Sequence, residues 1–307
     1  MPKNSISNLM NSPNLSESYA ACEKRTRKYL NDYRWVLSNL PRDQRQKVFA
    51  LTAFLTRAIE LLDTQVSPIA RREEWGEWRD QVRDAFRGKD CDQELLALSE
   101  VVETLKIPRE YFFDVQAGVE LGIRCKKFEA FDQWMQMASR IGGSMMLALT
   151  HVLETEKSGC EESAMAAGEA MFLVHLTDEM GNGYHNLMQF APRMLARNCN
   201  VHLEAENPKK PTVEFGRFIR MLLSRIEPKF ETGGKLVNFM SFDGKRVVRS
   251  LIAIHWQMFV KMKQHPEYVL QHRHQVSPKE MLKLRFKHLM GLEGQVPVIH
   301  EGTHNHH

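Results

Sequence analysis

The sequence predicts an all-α protein, and three observations carry that prediction. Apolar residues recur at helical spacing along nearly the whole chain. Strict alternation bounded by turn residues is missing, so any sheet would have to be small. No linker is long enough to divide the 307 residues, although a chain of this length can bury one large core or two. Composition agrees, with 26% charged and 43% hydrophobic residues, as in ordinary soluble domains. Nowhere is there a run of about 18 uncharged apolar residues to span a membrane.

Taken in order, residues 1–17 are polar and rich in Asn and Ser, and read as a disordered lead without the apolar stretch of a signal peptide. Tyr29, Leu30, Tyr33, Val36, Leu37 and Leu40 mark a helix over 19–40, stopped near Pro41, and 42–62 forms the next. Ser67-Pro68 breaks the chain before a charged helix with Trp75, Trp78, Val82 and Phe86. Gly88 and Asp90 mark a turn, followed by helices over 94–105 and, after Pro108, over 111–124. The long helix over 131–153 carries Gly142, Gly143 and Ser144, small enough for a neighbouring helix to come close. A helix over 161–181 ends at Gly181-Asn182-Gly183. Residues 206–212 are the clearest loop of the second half, and Gly233-Gly234 ends the helix after it. Asp243 can cap a helix through 265. Ser277-Pro278-Lys279-Glu280 has the form of a capping box opening a last helix over 281–290. About ten helices in one domain over 18–292, then a disordered His-containing tail over 293–307, account for the whole pattern.

A net charge of +4, with basic residues spread along the chain, gives no reason to expect a nucleic-acid partner. The cysteines (Cys22, Cys91, Cys125, Cys160 and Cys199) include no CxxC pair, which fits reduced thiols and a cytoplasmic location. A nucleotide-binding glycine loop, an HExxH zinc motif and a GxSxG elbow are all lacking.

Two stretches carry candidate chemistry. Arg57, Glu60 and Asp63 lie at three-residue intervals on one helical stripe. Asp178 and Asn182 share another stripe, with His175 a turn earlier. Oxygen ligands on two opposed helices would suit Mg²⁺ bridging to a phosphate. The same residues on outward-facing stripes would be ordinary solvated surface.

The order of segments resembles the squalene and phytoene synthases, the head-to-head prenyltransferases, over roughly 18–292. LPRDQRQKVFALTAFLTRAIELLD resembles the family's first acidic helix, and FDQWMQMASRIGG the helix written VAGxVG in the family. HLTDEMGN with YHNLMQFAP resembles the second acidic motif, and VLQHRHQVSPKEMLKLRF the closing segment. The resemblance implies an isoprenoid-synthase-like helical bundle around a central cavity, acting on an isoprenoid diphosphate partner. Metal would be held by Glu60, Asp63, Asp178 and Asn182, identified with Mg²⁺, with Asp63 and Asp178 catalytic. Arg45 and Arg57 match family arginines and would position the diphosphate. Apolar products would favour transient peripheral contact with a membrane.

The chain also departs from that pattern. Ile59 and Asn182 stand where many members have acids, and Gly122 where an aspartate is common. Thr177 replaces an arginine, Val174 a polar group, Asn31 the arginine of an early phosphate-binding motif, and Gln133 a tyrosine. Two expectations therefore stand side by side. One is a divergent Mg²⁺-dependent prenyltransferase, with the ordinary or an altered product. The other is a catalytically silent member of the fold serving as scaffold, assembly factor or lipid-binding module.

Overall fold

The computed structural model describes residues 13–30, 35–62, 67–125, 127–180, 190–204, 206, 210–271, 274 and 276–290. Among them are twelve α-helices and no strand; one isolated antiparallel bridge joins Thr155 and Met240. The helices are α1 (Pro13–Leu30), α2 (Arg42–Glu60), α3 (Pro68–Ala85), α4 (Gln93–Leu105), α5 (Glu110–Arg124) and α6 (Phe131–Ala138). They continue with α7 (Ser144–Leu153), α8 (Glu161–Asp178), α9 (Arg193–Asn198), α10 (Val213–Gly234), α11 (Phe242–Gln264) and α12 (Pro278–Met290).

Two boundaries differ from expectation. The first helix begins at Pro13, inside the segment read as a lead, and ends at Leu30, with a 3₁₀ turn at 35–37 taking the place of its second half. The 131–153 helix is interrupted by a π turn, Ser139–Gly143, between α6 and α7. That turn supplies the flexible glycines at the closest crossing in the bundle. Capping is more faithful to the sequence. Ser277 and Glu280 exchange bonds at the start of α12 (Ser277 N–H to Glu280 Oε2 2.8 Å, Glu280 N–H to Ser277 Oγ 3.4 Å). At α11 the cap is Ser241, whose Oγ accepts from Gly244 N–H, and Asp243 sits in the first turn.

Helix α8 is the axis of the bundle. It is buried on nearly every side, from Ser163 to Asp178, because its residues are mostly small or apolar all round (ESAMAAGEAMFLVHLTD). It packs against α6, the π turn, α7, α10 and α11. A Cβ built on Gly142 would lie 2.7 Å from Phe172 Cβ, and one on Gly168 would lie 2.9 Å from Gly143 Cα, so backbone meets backbone here. At the next crossing, a Cβ on Gly233 of α10 would come 2.6 Å from Ala167 N. Glu169, buried midway along α8, is ion-paired to Lys229 of α10 at 2.7 Å.

Helix α12 is pinned to the body through His288. Its ring lies 2.8 Å from Asn39 Nδ2 and 2.8 Å from Ser250 Oγ, edge-on to Trp35. Arg246 donates to the carbonyls of His288 and Leu289, and Lys261 pairs with Glu280 at 2.6 Å. Lys261 first, and then Ser277, holds the Glu280 carboxyl down to about 2. Burial pushes the His288 imidazole below its usual value. The native state therefore binds fewer protons than the unfolded chain as pH falls below the ordinary histidine value, so stability is lost in that direction. Urea midpoints measured from pH 8 to pH 5 should fall more steeply for the native protein than for His288→Gln, which keeps a donor and an acceptor without titrating. Parallel curves would show that His288 does not carry the acid response.

Candidate functional site

Helix α2 turns its charged stripe toward α1, α3 and α4. Arg25 of α1 donates to Glu60 at 2.6 Å and to Glu94 at 2.6 Å, tying three helices together. Arg57 stands 3.8 Å from Glu60 and 3.3 Å from Glu74. The groove here, about 170 Å³, is lined by Arg25 and Arg57 against Glu74, Glu77, Asp92 and Glu94, along with Trp78 and Gln81. Two guanidinium groups among more carboxylates than arginines make a neutralised cluster, poorly suited to gripping a diphosphate.

Asp178, at the end of α8, is 2% exposed and faces the α11–α12 connection. Its Oδ1 accepts from the His274 backbone N–H at 2.7 Å, and His274 Nδ1 lies 3.2 Å from the same oxygen. His274 is buried too, so this is a polar pair sealed in the core. His175, a turn before Asp178, is half-buried.

A Cβ built on Gly122 of α5 would lie 2.5 Å from Leu62 Cδ2, 3.4 Å from Met137 Sδ and 3.4 Å from Phe190 Cε1. Leu62 is the last described residue after α2, and Phe190 the first after the segment that follows α8. Leu62 and Phe190 thus abut the same point of α5. Any side chain at this position would push against Leu62, whose side chain fills the space.

Of the residues picked out from the sequence, Asp63 and Asn182 lie outside the described residues. Arg57 lines the groove beside α3 and α4, and Glu60 stands 3.8 Å from Arg57. Arg45 lines a different cavity, with Trp35, Arg42 and Arg285, and Asp178 belongs to neither. Sequence reasoning missed Arg25, which claims Glu60, and His274, which claims Asp178. The only sequence signal for His274 is its place in the closing segment VLQHRHQ.

Among the described residues, no group of three or more His, Cys, Asp or Glu can hold a metal ion. Glu60 is taken by arginines, and the Asp178 oxygen by N–H donors. The described carboxylates therefore do not fit Mg²⁺ as they stand.

The fold is shared with solved proteins. A dehydrosqualene synthase in complex with ligand superposes with a TM-score of 0.77 at 20% identity, over 90% of this chain and 97% of that one. Residues 26–280 match the squalene/phytoene synthase family model, and the chain belongs to that family of prenyltransferases. Among relatives, a phytoene synthase of Arthrospira platensis is 22% identical over 179 residues, covering 54% of this chain and 58% of that protein. The chloroplastic phytoene synthase 2 of Solanum lycopersicum is 20% identical over 277 residues, covering 88% and 89%. The alignment thus spans little more than half the length of the Arthrospira relative and most of the tomato one.

Proposed function

We propose that the protein is a divergent prenyltransferase acting on isoprenoid diphosphates. The observation that carries this reading is the family match over residues 26–280, together with the acidic stretches that end α2 and α8. Beside the end of α2, Leu62, Met137 and Phe190 form buried apolar packing around Gly122. Excluding water there would protect a reactive allylic cation from hydrolysis. The departures at Asn182, Thr177 and Gly122 favour an altered product over an unchanged squalene or phytoene reaction. Apolar substrates and products favour peripheral contact with a membrane.

Incubation of the purified protein with farnesyl or geranylgeranyl diphosphate and Mg²⁺ should release pyrophosphate, with the product identified by mass spectrometry. A folded protein that releases none across chain lengths would sink the proposal. One observation favours a second reading, that of a silent member of the fold: Glu60 and Asp178 both already have internal partners. Saturable binding of the same diphosphates without release would select it.

A further inference from the structure

Helix α12 presents an apolar stripe to solvent that no described residue covers. Leu282 is 67% exposed, Phe286 58% and Leu289 59%, and these positions repeat at i, i+4 and i+7. Met290, 60% exposed, extends the stripe at the helix end. A monomeric soluble protein seldom leaves such a contiguous run open without a use for it. At 100° per residue, Arg285 flanks the stripe on one side and Lys279 and Lys283 on the other. The one acid of α12, Glu280, is held by Lys261.

On the Arg285 side the stripe borders a cavity of about 640 Å³ between α1, the 35–37 turn, the start of α2 and α12. Its lining combines Arg42, Arg45 and Arg285 with Trp35, Phe49, Met281 and Leu289. No ion pair or hydrogen bond among the described residues engages the side chains of those three arginines. Among the described residues, Glu23, in the lining, pairs with Arg27 at 2.7 Å, and Asp43 pairs with Lys47 at 2.6 Å. The first turn of α2 opens on the same place, and its Pro41 cap leaves the turn without a side-chain acceptor. Three uncompensated guanidinium groups beside aromatic and aliphatic walls suit a phosphate carrying an apolar tail.

We propose that α12 docks the protein on an anionic phospholipid surface, with its apolar stripe in the interface and a lipid phosphate held between Arg42, Arg45 and Arg285. A basic helix with an exposed apolar face is the pattern that lies in a bilayer interface. Charge complementarity selects an anionic surface over a neutral one. The cavity next to the stripe gives a headgroup a place to enter as the helix settles. The docking requires no catalysis, so it stands or falls apart from the transferase reading.

The full chain should sediment with phosphatidylcholine vesicles containing phosphatidylglycerol, much less with pure phosphatidylcholine, and less as salt rises. Arg42→Glu with Arg45→Glu should weaken partitioning by about tenfold or more. Leu282→Glu with Phe286→Glu, on the exposed stripe, should do the same, with circular dichroism and melting temperature unchanged in both. Absence of binding to anionic vesicles, or binding indifferent to both pairs, would overturn the proposal. So would a dimer in light scattering that Phe286→Glu dissociates while vesicles stay unbound. Calorimetric binding of inorganic diphosphate at the arginines without vesicle binding would also overturn it, marking a soluble-anion site. Binding that appears only after truncation beyond Met290 would assign the stripe to the chain's own tail.

Discussion

Gly168→Val should cost about 4 kcal/mol or more and leave little folded protein, since whole domains are stable by only about 5–15 kcal/mol. Any side chain at Gly168 would run into the Gly142 carbonyl and lie 2.9 Å from the Gly143 Cα. Those obstacles are backbone, held by the π turn and by α7 beyond it, so no rotamer change relieves them. The clash would push α8 away from the elements it organises, and with it the packing of α10 and α11. Gly76 of α3 supplies the control, because nothing lies within 4 Å of a Cβ built there. Gly76→Ala should gain about 0.5–1 kcal/mol through helix propensity alone. Urea denaturation of the two variants should thus show shifts of opposite sign. A Gly168→Val protein with a near-native midpoint would show that the helices can part at this crossing without penalty.

Asp178→Ala should destabilise the protein by about 1–3 kcal/mol, because it removes a buried acceptor of the His274 backbone N–H and ring. Asp178→Asn keeps an oxygen in the same place and should cost about 1 kcal/mol. The pair of variants separates structure from chemistry. If Asp178 acts on the substrate's diphosphate, Asn should abolish pyrophosphate release while leaving the melting temperature nearly intact. If its work is to seal the α11–α12 connection, activity should follow stability, with Asn close to native. Equal destabilisation by Asn and Ala would contradict the hydrogen-bonding account itself.

Much of the fold is legible in residue order. Apolar spacing placed most helices, and the 131–153 segment was recognisable as one run even though a π turn divides it. The six-residue α9 escaped, being too short to display a period. The early helix boundaries were misplaced because Tyr29 to Leu40 looks periodic over a stretch where the chain passes from α1 into a 3₁₀ turn. Small residues at Gly142 and Gly143 announced a close helix crossing, and their partner proved to be another glycine, Gly168. The candidate site was legible as a set of residue types, much less as an arrangement. Arg45 and Arg57 both matched family arginines, yet one faces a cavity shared with Arg42 and Arg285 and the other a cluster of carboxylates.

By itself the sequence determined the all-α class, the succession of helices, the Ser277–Glu280 cap and the glycine crossing. Each rests on interactions within a few residues or on side-chain size, which order along the chain specifies directly. Tertiary structure alone decided where the charges find partners. Glu60 meets Arg25 from 35 residues away, Asp178 meets His274 from 96 away, and Arg45 shares its cavity with Arg285 of the last helix. A helical stripe fixes which side chains point together, but the packing of all the other helices sets the direction in which the stripe points.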